Sequence, residues 1–318
     1  AQGGYLALLA PEVRNEGVMT ASLGTALLAA GNKVTLNLDN GSLLGYSIDQ
    51  GAINALAENK QLIKADGGQV LLGAKALDSL TSAAVNNTGI IEAKTLQNKA
   101  GRIMLMGDMA HGTVNIGGTL DASAPNGGDG GFIETSAAQF KILPGAKVTT
   151  QAPQGKTGTW LLDPASVTIA GGTGTTDANT IYEDYLEAAT TNVVIEADNA
   201  ITASGTFGNS DVQMRSGLDL TIRTIGTSGT GIDLTGSTHG TALDFKTSGG
   251  GSVLMSTAAA SQAIKTSQVT VADGGNITLN SAGLLDITNT SLQTAGGAIS
   301  LTGAGTSLGD GVKISKGT

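Results

Sequence analysis

The sequence predicts an all-β protein, a parallel β-helix (β-solenoid) with coils of uneven length, and three observations carry that prediction. Glycine accounts for 48 of 318 residues, about twice ordinary usage, while aromatic residues make up only 3% and charged residues 14%. One short pattern recurs along the chain: one or two glycines, a variable residue, then alternating apolar positions. The apolar residues, 40% of the chain, fall mostly in short runs. A stack of thin coils accounts for all three. Its narrow interior takes Val, Ile, Leu and Ala on every second position, and its outward positions take Thr, Ser and Asn.

The pattern begins at Gly3-Gly4-Tyr5-Leu6-Ala7-Leu8 and returns at Gly31-Asn32-Lys33-Val34-Thr35-Leu36, Gly67-Gly68-Gln69-Val70 and Gly101-Arg102-Ile103. Copies follow at Gly130-Gly131-Phe132-Ile133, Gly158-Thr159-Trp160-Leu161, Gly217-Leu218-Asp219-Leu220, Gly250-Gly251-Ser252-Val253, Gly274-Gly275-Asn276-Ile277 and Gly296-Gly297-Ala298-Ile299. Each copy reads as a turn feeding a strand, with glycine supplying the positive φ of a tight corner. Further short strands lie between copies, among them Val114-Asn115-Ile116, Val148-Thr149-Thr150, Val193-Val194-Ile195 and Val269-Thr270-Val271. A coil of roughly 22 residues would give about 14 coils and, at about 4.8 Å per strand, a rod of roughly 70 Å. A few short helices or loops are expected to extrude from the coils. Residues 51–63 carry apolar residues at helical spacing, residues 180–189 have acids in a first turn, and residues 74–85 show a weaker helical pattern. Beyond Pro164 the chain grows richer in Thr and Ser, which places a boundary near residue 165 between segments 1–164 and 165–318.

Composition excludes several classes. Glycine has no period of three and there are 5 prolines, so the chain is not collagen. No apolar run approaches the roughly 18 residues that a membrane helix needs, so membrane insertion is not expected. Cysteine is absent, which removes disulfides and thiolate metal sites. A net charge of −9 argues against nucleic acid as a partner. The chain opens at Ala1 without Met, and the expectation is a fragment of a longer protein.

Catalytic, cofactor and metal residues are not assigned, and ligand-binding residues are unknown at this level. The two histidines, His111 and His239, stand far apart in apparent turns, which argues against triads and histidine-based zinc sites. The mixed cluster Gln213 to Asp219 with Arg223 is expected to hold an outward ion pair between neighbouring coils. Asn126-Gly127-Gly128-Asp129-Gly130-Gly131 is similar to a calcium nonapeptide, but its Asp is misplaced and no second copy follows, so it reads as a turn. Gly155-Lys156-Thr157 lacks the glycine of a phosphate loop, since position 151 is Gln. Trp160, within an apolar strand that ends in a turn, reads as a packing residue. Sequons at Asn40, Asn86, Asn276 and Asn289 are near chance frequency for this composition.

Several segments together resemble the filamentous-haemagglutinin-like adhesins, the exoproteins of bacterial two-partner secretion. They are Gly3-Gly4-Tyr5-Leu6-Ala7-Leu8-Leu9-Ala10-Pro11-Glu12-Val13-Arg14-Asn15-Glu16-Gly17, Ala29 to Leu36, Gly130 to Ser136, Gly158 to Pro164 and Tyr182 to Ile195. The resemblance covers roughly residues 1–200. It implies a right-handed β-helix, export through an outer-membrane partner transporter, secretion to the bacterial cell surface and a role in adhesion. The family's secretion signatures are not found, which fits a fragment starting late in, or just after, the secretion domain. The expected function is therefore a non-enzymatic binding segment of an adhesin, attaching to polysaccharide, matrix or another cell. Two alternatives stand beside it: the passive stalk of a contact-dependent toxin carrier, and a polysaccharide-cleaving β-helix enzyme.

Overall fold

The computed structural model describes residues 3–39, 41–173, 177–208, 211–236, 243–266, 268–288, 290–307 and 313–317. His239 and the sequon asparagines Asn40 and Asn289 lie outside the described residues. The chain divides into two compact units, Ala1–Asp163 with Thr176–Ala178, and Pro164–Thr175 with Asn179–Thr318. Among the described residues each unit is built of short parallel strands, joined by one antiparallel hairpin in the first unit and one short helix, Glu183–Ala188, in the second.

In the first unit every coil visits three parallel sheets in turn. The first sheet stacks Tyr5–Ala10, Thr25–Ala30, Gln69–Ala74, Arg102–Met106, Phe132–Ser136 and Thr159–Asp163. The second stacks Glu12–Asn15, Ala55–Asn59, Ala83–Asn87, Gly112–Ile116 and Gln139–Ile142. The third stacks Val18–Thr20, Leu62–Lys64, Ile90–Glu92, Thr119–Asp121 and Lys147–Thr149. This is a parallel β-helix. In the second unit one sheet stacks Asn192–Ala197, Leu220–Thr224, Val253–Ser256, Ile277–Asp286 and Ile299–Ser307. A second stacks Asp211–Gln213, Asp244–Thr247, Gln268–Val271, Ser291–Ala295 and Lys313–Gly317. Ser166–Ala170, Ala200–Ser204, Gly231–Asp233 and Ala263–Lys265 form a third run, which meets the long strand Ile277–Asp286.

The period-2 pattern of the sequence becomes stacks of like side chains. Ala57, Val85, Val114 and Phe140 lie over one another in the core, as do Ile63, Ile91 and Leu120. Trp160 stacks on Ile133, is 3% exposed, and donates its indole N–H to the Thr135 hydroxyl at 3.1 Å. It is a packing residue.

Glycine does two jobs at the recurring corner. Gly67 and Gly274 have φ of +68° and +89°, where L side chains are strained. The following glycine is required by contact instead. A Cβ on Gly68 would lie 2.0 Å from the Gly24 carbonyl oxygen, one on Gly131 2.1 Å from that of Gly101, and one on Gly275 2.0 Å from that of Gly251. Each coil rests on the glycine carbonyl of the coil before it.

Polar groups that must be inside are satisfied along the stack. Asn15, Asn59 and Asn87 are buried at one corner. Asn15 donates its amide to Asn59 Oδ1 at 2.8 Å, Asn59 to Asn87 Oδ1 at 2.8 Å, and Asn87 to the Gly117 carbonyl at 2.7 Å. The second unit has an outer counterpart. Asn192 Oδ1 accepts the Asp219 N–H (2.9 Å), Asp219 Oδ1 that of Ser252 (2.7 Å), Ser252 Oγ that of Asn276 (3.0 Å), and Asn276 Oδ1 that of Ala298 (2.8 Å).

Three expectations need correction. Residues 51–63 are not helical: they turn at Ile53 and Asn54 and then form Ala55–Asn59 and Leu62–Lys64. Residues 74–85 give a turn and the start of Ala83–Asn87. Helical spacing there coincides with two strands set around a corner, and in-register pairing with the coils on either side overrides the local pattern. The helix expected over 180–189 is present as Glu183–Ala188. Most coils are longer than the spacing of the last two glycine copies suggests. Leu220 pairs with Val253, Val253 with Ile277 and Ile277 with Ile299, so successive coils shorten toward the end of the chain. The described residues form six levels in the first unit's largest sheet and five in the second's, not 14. Third, the copy at Gly31 to Leu36 is not a coil strand. Lys33–Asp39 pairs antiparallel with Ser42–Gln50 in an inserted hairpin.

That hairpin explains why Thr25–Ala30 is buried on both faces. Leu27, Ala29 and Leu71 point out of the coil and are covered by Leu43, with Val34, Leu36 and Tyr46 packed against them. Covering each leucine contributes about 1.5–3 kcal/mol. Gly73 makes room, since a Cβ there would lie 1.9 Å from the Tyr46 hydroxyl.

Replacing Asn59 with Ala should lower unfolding free energy by about 2–4 kcal/mol, because Asn15 and Asn87 lose buried partners on both sides. Urea denaturation checks it, and a loss comparable to that of an outward Asn86→Ala would contradict an energetic role for the ladder. Gly73→Ala should cost about 1–3 kcal/mol through the clash with Tyr46. Gly17→Ala, with open space at its Cβ, should change stability by less than about 0.5 kcal/mol.

Candidate ligand-binding surfaces

Two surfaces have the composition of binding sites, one in each unit. The second unit presents a polar face on the sheet running from Asp211–Gln213 to Lys313–Gly317. Val212, Phe245, Val269 and Leu292 point inward and are buried, so the alternate positions point outward. Register places Gln213, Lys246, Thr270 and Gln293 in one column and Asp211, Asp244, Gln268 and Ser291 in the next. Within a column neighbours recur at the strand spacing of about 4.8 Å. The result is a ruled array of amides, hydroxyls and charges, each able to donate or accept.

Asp244 is the electrostatically strained member of this array. It is 8% exposed, and its Oδ1 has no hydrogen-bond partner among the described residues. Its Oδ2 accepts the Thr270 hydroxyl at 2.8 Å, and Lys246 Nζ lies 3.9 Å away while pairing with Asp211. Burial pushes the Asp244 carboxyl above the usual range, against the pull of Thr270 and Lys246.

The first unit holds an open groove of about 580 Å³ between the hairpin and the outer face of its largest sheet. Leu71, Met104 and Met106 make the floor, Leu44, Tyr46 and Ile48 of the hairpin make the wall, and Met109 stands at one end. Burial pushes the Tyr46 phenol well above its ordinary pKa. Lys75 donates to the Ile48 carbonyl at 3.0 Å and ties the hairpin to the sheet. At the other end Arg102 lies over the Phe132 ring, 5.5 Å from its centroid.

The residues weighed in the sequence are dispersed. Arg223 pairs with Glu196, its register partner on the neighbouring coil, as an outward ion pair. Arg215 Nε donates to the Glu187 carbonyl at 3.2 Å, and Asp219 belongs to the outer ladder. They do not converge on one site. Asp129 lies in a turn, its carboxylate accepting the Lys156 N–H at 2.8 Å and its carbonyl the Thr95 hydroxyl at 2.6 Å. His111 is exposed in a turn capped by Asp108, whose Oδ1 accepts the His111 N–H at 2.8 Å. Sequence reasoning missed the groove. The signal for it was the Asn40-Gly41 dipeptide between two alternating runs, a strong hairpin mark.

No family model matches the chain. Over 177 residues, 53% of the chain, it is 25% identical to the heme/hemopexin-binding protein of Haemophilus influenzae. The match spans 17% of that protein's length. Among the described residues no helix is long and apolar enough to cross a membrane.

Asp244→Asn should stabilise the protein at neutral pH. A carboxyl whose native pKa is raised costs stability as pH climbs from its unfolded value through the native one. The gain should therefore grow as pH rises above the ordinary aspartate range and vanish at low pH. Thermal unfolding of both proteins from low to neutral pH checks it, and a gain independent of pH would contradict the assignment.

Proposed function

We propose that this chain is a binding segment of a secreted or cell-surface bacterial exoprotein of the filamentous-haemagglutinin-like kind, exported through an outer-membrane partner transporter. It acts without catalysis, attaching its parent to polysaccharide, matrix or a neighbouring cell. The observation that carries the proposal is the ruled polar face of the second unit. Columns of Gln, Thr, Ser and Lys at constant spacing offer the donors and acceptors that sugar hydroxyls require, repeated along a chain of repeating ligand. Each contact is weak, and repetition multiplies them. Support comes also from the parallel β-helix, from the residue segments that resemble the family, and from the partial similarity to the Haemophilus binding protein.

The test is a glycan array probed with the purified chain, run beside haem and hemopexin, the ligands in the relative's name. Binding to extended polysaccharide is expected. A Gln268→Ala, Thr270→Ala, Gln293→Ala variant should lose at least about tenfold in avidity, since roughly 1.4 kcal/mol is tenfold and three contacts are removed. Its circular dichroism should be unchanged. Binding to hemopexin or haem alone would replace the glycan reading. Absence of any binding would favour a passive stalk, and chain shortening of an acidic polysaccharide would favour an enzyme.

A further inference from the structure

The groove of the first unit has a chemistry unlike that of the polar face, and its ligand class follows from its walls. Its floor and wall are Leu44, Tyr46, Ile48, Leu71, Met104 and Met106. Three of the chain's 6 methionines, Met104, Met106 and Met109, line it. Thioether side chains are flexible and polarisable, and they conform to apolar ligands of variable shape. A volume of about 580 Å³ lies in the usual range for small-molecule sites.

Of the charged residues that line the groove, Lys75 is engaged with the Ile48 carbonyl and Asp108 with the Ala110 and His111 N–H groups, which leaves Arg102. Arg102 opens the groove, and both Arg102 and Lys99 line the adjoining hollow at the glycine corner. Among the described residues neither forms a salt bridge, unlike Arg14, Lys60, Lys64 and Lys94 of the same unit, which pair with carboxylates. Arg102 instead approaches the Met104 sulfur at 3.9 Å and the Phe132 face, contacts that leave most of its five donors open. From Arg102 to Met106 the floor runs along one strand for about 13 Å. An apolar trough of that length with a forked cation at one end is complementary to a single acyl chain ending in a carboxylate. A sugar would leave its hydroxyls unpaired against the leucine and methionine floor.

We propose that this groove binds a medium- to long-chain fatty acid, its tail along Leu71, Met104 and Met106 under the hairpin and its carboxylate on Arg102, with Lys99 nearby. The proposal goes beyond the adhesive reading and does not rest on it, because the two sites share no residue.

The test is an NMR titration of methyl-labelled methionine in the whole chain with laurate, kept below its micelle concentration. Saturable shifts are expected at Met104, Met106 and Met109. The buried Met19, Met214 and Met255 should stay fixed and report an intact fold. Arg102→Gln should weaken laurate about tenfold, the loss of a charge-assisted bond. Dodecanol should bind more weakly than laurate and ignore that substitution. Leu44→Glu, at a side chain 64% exposed and so safe for folding, should abolish the shifts. No saturable shift, movement of all six methyls together, or dodecanol bound as tightly as laurate would overturn the proposal.

Discussion

In-register parallel pairing is the constraint on which the rest of the molecule depends. A strand in this fold has a copy of itself about 4.8 Å above and below, so whatever one coil places inward the next must place inward too. Apolar columns satisfy that rule readily, as Ala57, Val85, Val114 and Phe140 do. A buried polar group satisfies it when its partner lies along the stack or at its own coil's corner, as for Thr247 and Thr294. Asn15, Asn59 and Asn87 bond in series along the stack, and on the outer surface the side-chain oxygens of Asn192, Asp219, Ser252 and Asn276 follow the same spacing, each accepting the next coil's N–H. Close stacking also makes glycine at positions 68, 131 and 275 a steric requirement.

The groove is a by-product of how the first unit manages one apolar outer face. Leu27, Ala29, Leu71, Met104 and Met106 all point out of the largest sheet, and an uncovered patch of that kind is a liability. The inserted hairpin covers Thr25–Ala30 and reaches Gln69–Ala74, with Tyr46 seated over Gly73 and Ile48 against Gly31. It stops short of Arg102–Met106. Met104 packs against the edge of the covered cluster while Met106 lines open space. A wall on one side and an apolar floor beyond it define a trough.

The repeating part of this architecture was legible in the sequence, because a glycine followed by alternating apolar residues maps directly onto a corner and a strand. Nine of the ten copies begin strands of the largest sheets; the tenth, at Gly31, begins the hairpin. Its local pattern is the same, and what separates it is the partner, which lies after Asn40-Gly41. The helical spacing at 51–63 misled because two short strands around a corner place apolar residues three and four apart, as a helix does. The helix at Glu183–Ala188 was legible because acids in a first turn have a local cause. The outward polar columns of the second unit were not, since they depend on coil register. The step along the chain from Gln213 to Lys246 is much longer than the step from Thr270 to Gln293, so no fixed period lines them up.

Uneven coils raise the question of what keeps register, and the outward charges give part of the answer. Individually an exposed ion pair is worth little, but in the first unit's third sheet they form a chain. Lys64 bonds Asp66 and Glu92, both at 3.1 Å, and Lys94 bonds Glu92 at 2.8 Å and Asp121 at 3.3 Å. Burial tends to raise the Glu92 carboxyl, but Lys94 and Lys64 outweigh it and hold the pKa below the ordinary value. The contribution of this carboxylate is thus present above the normal glutamate range and lost as pH falls through its native pKa. A slip of one residue would turn Lys64, Glu92 and Asp121 inward and expose Ile63, Ile91 and Leu120. The apolar stack therefore rejects odd slips by burial. A slip of two keeps the faces and is opposed mainly by the short-range matching of charges and by the glycine corner, where every other side chain would strike the carbonyl beneath. Specificity of register in so repetitive a chain rests on these few polar and steric mismatches, while stability rests on the core.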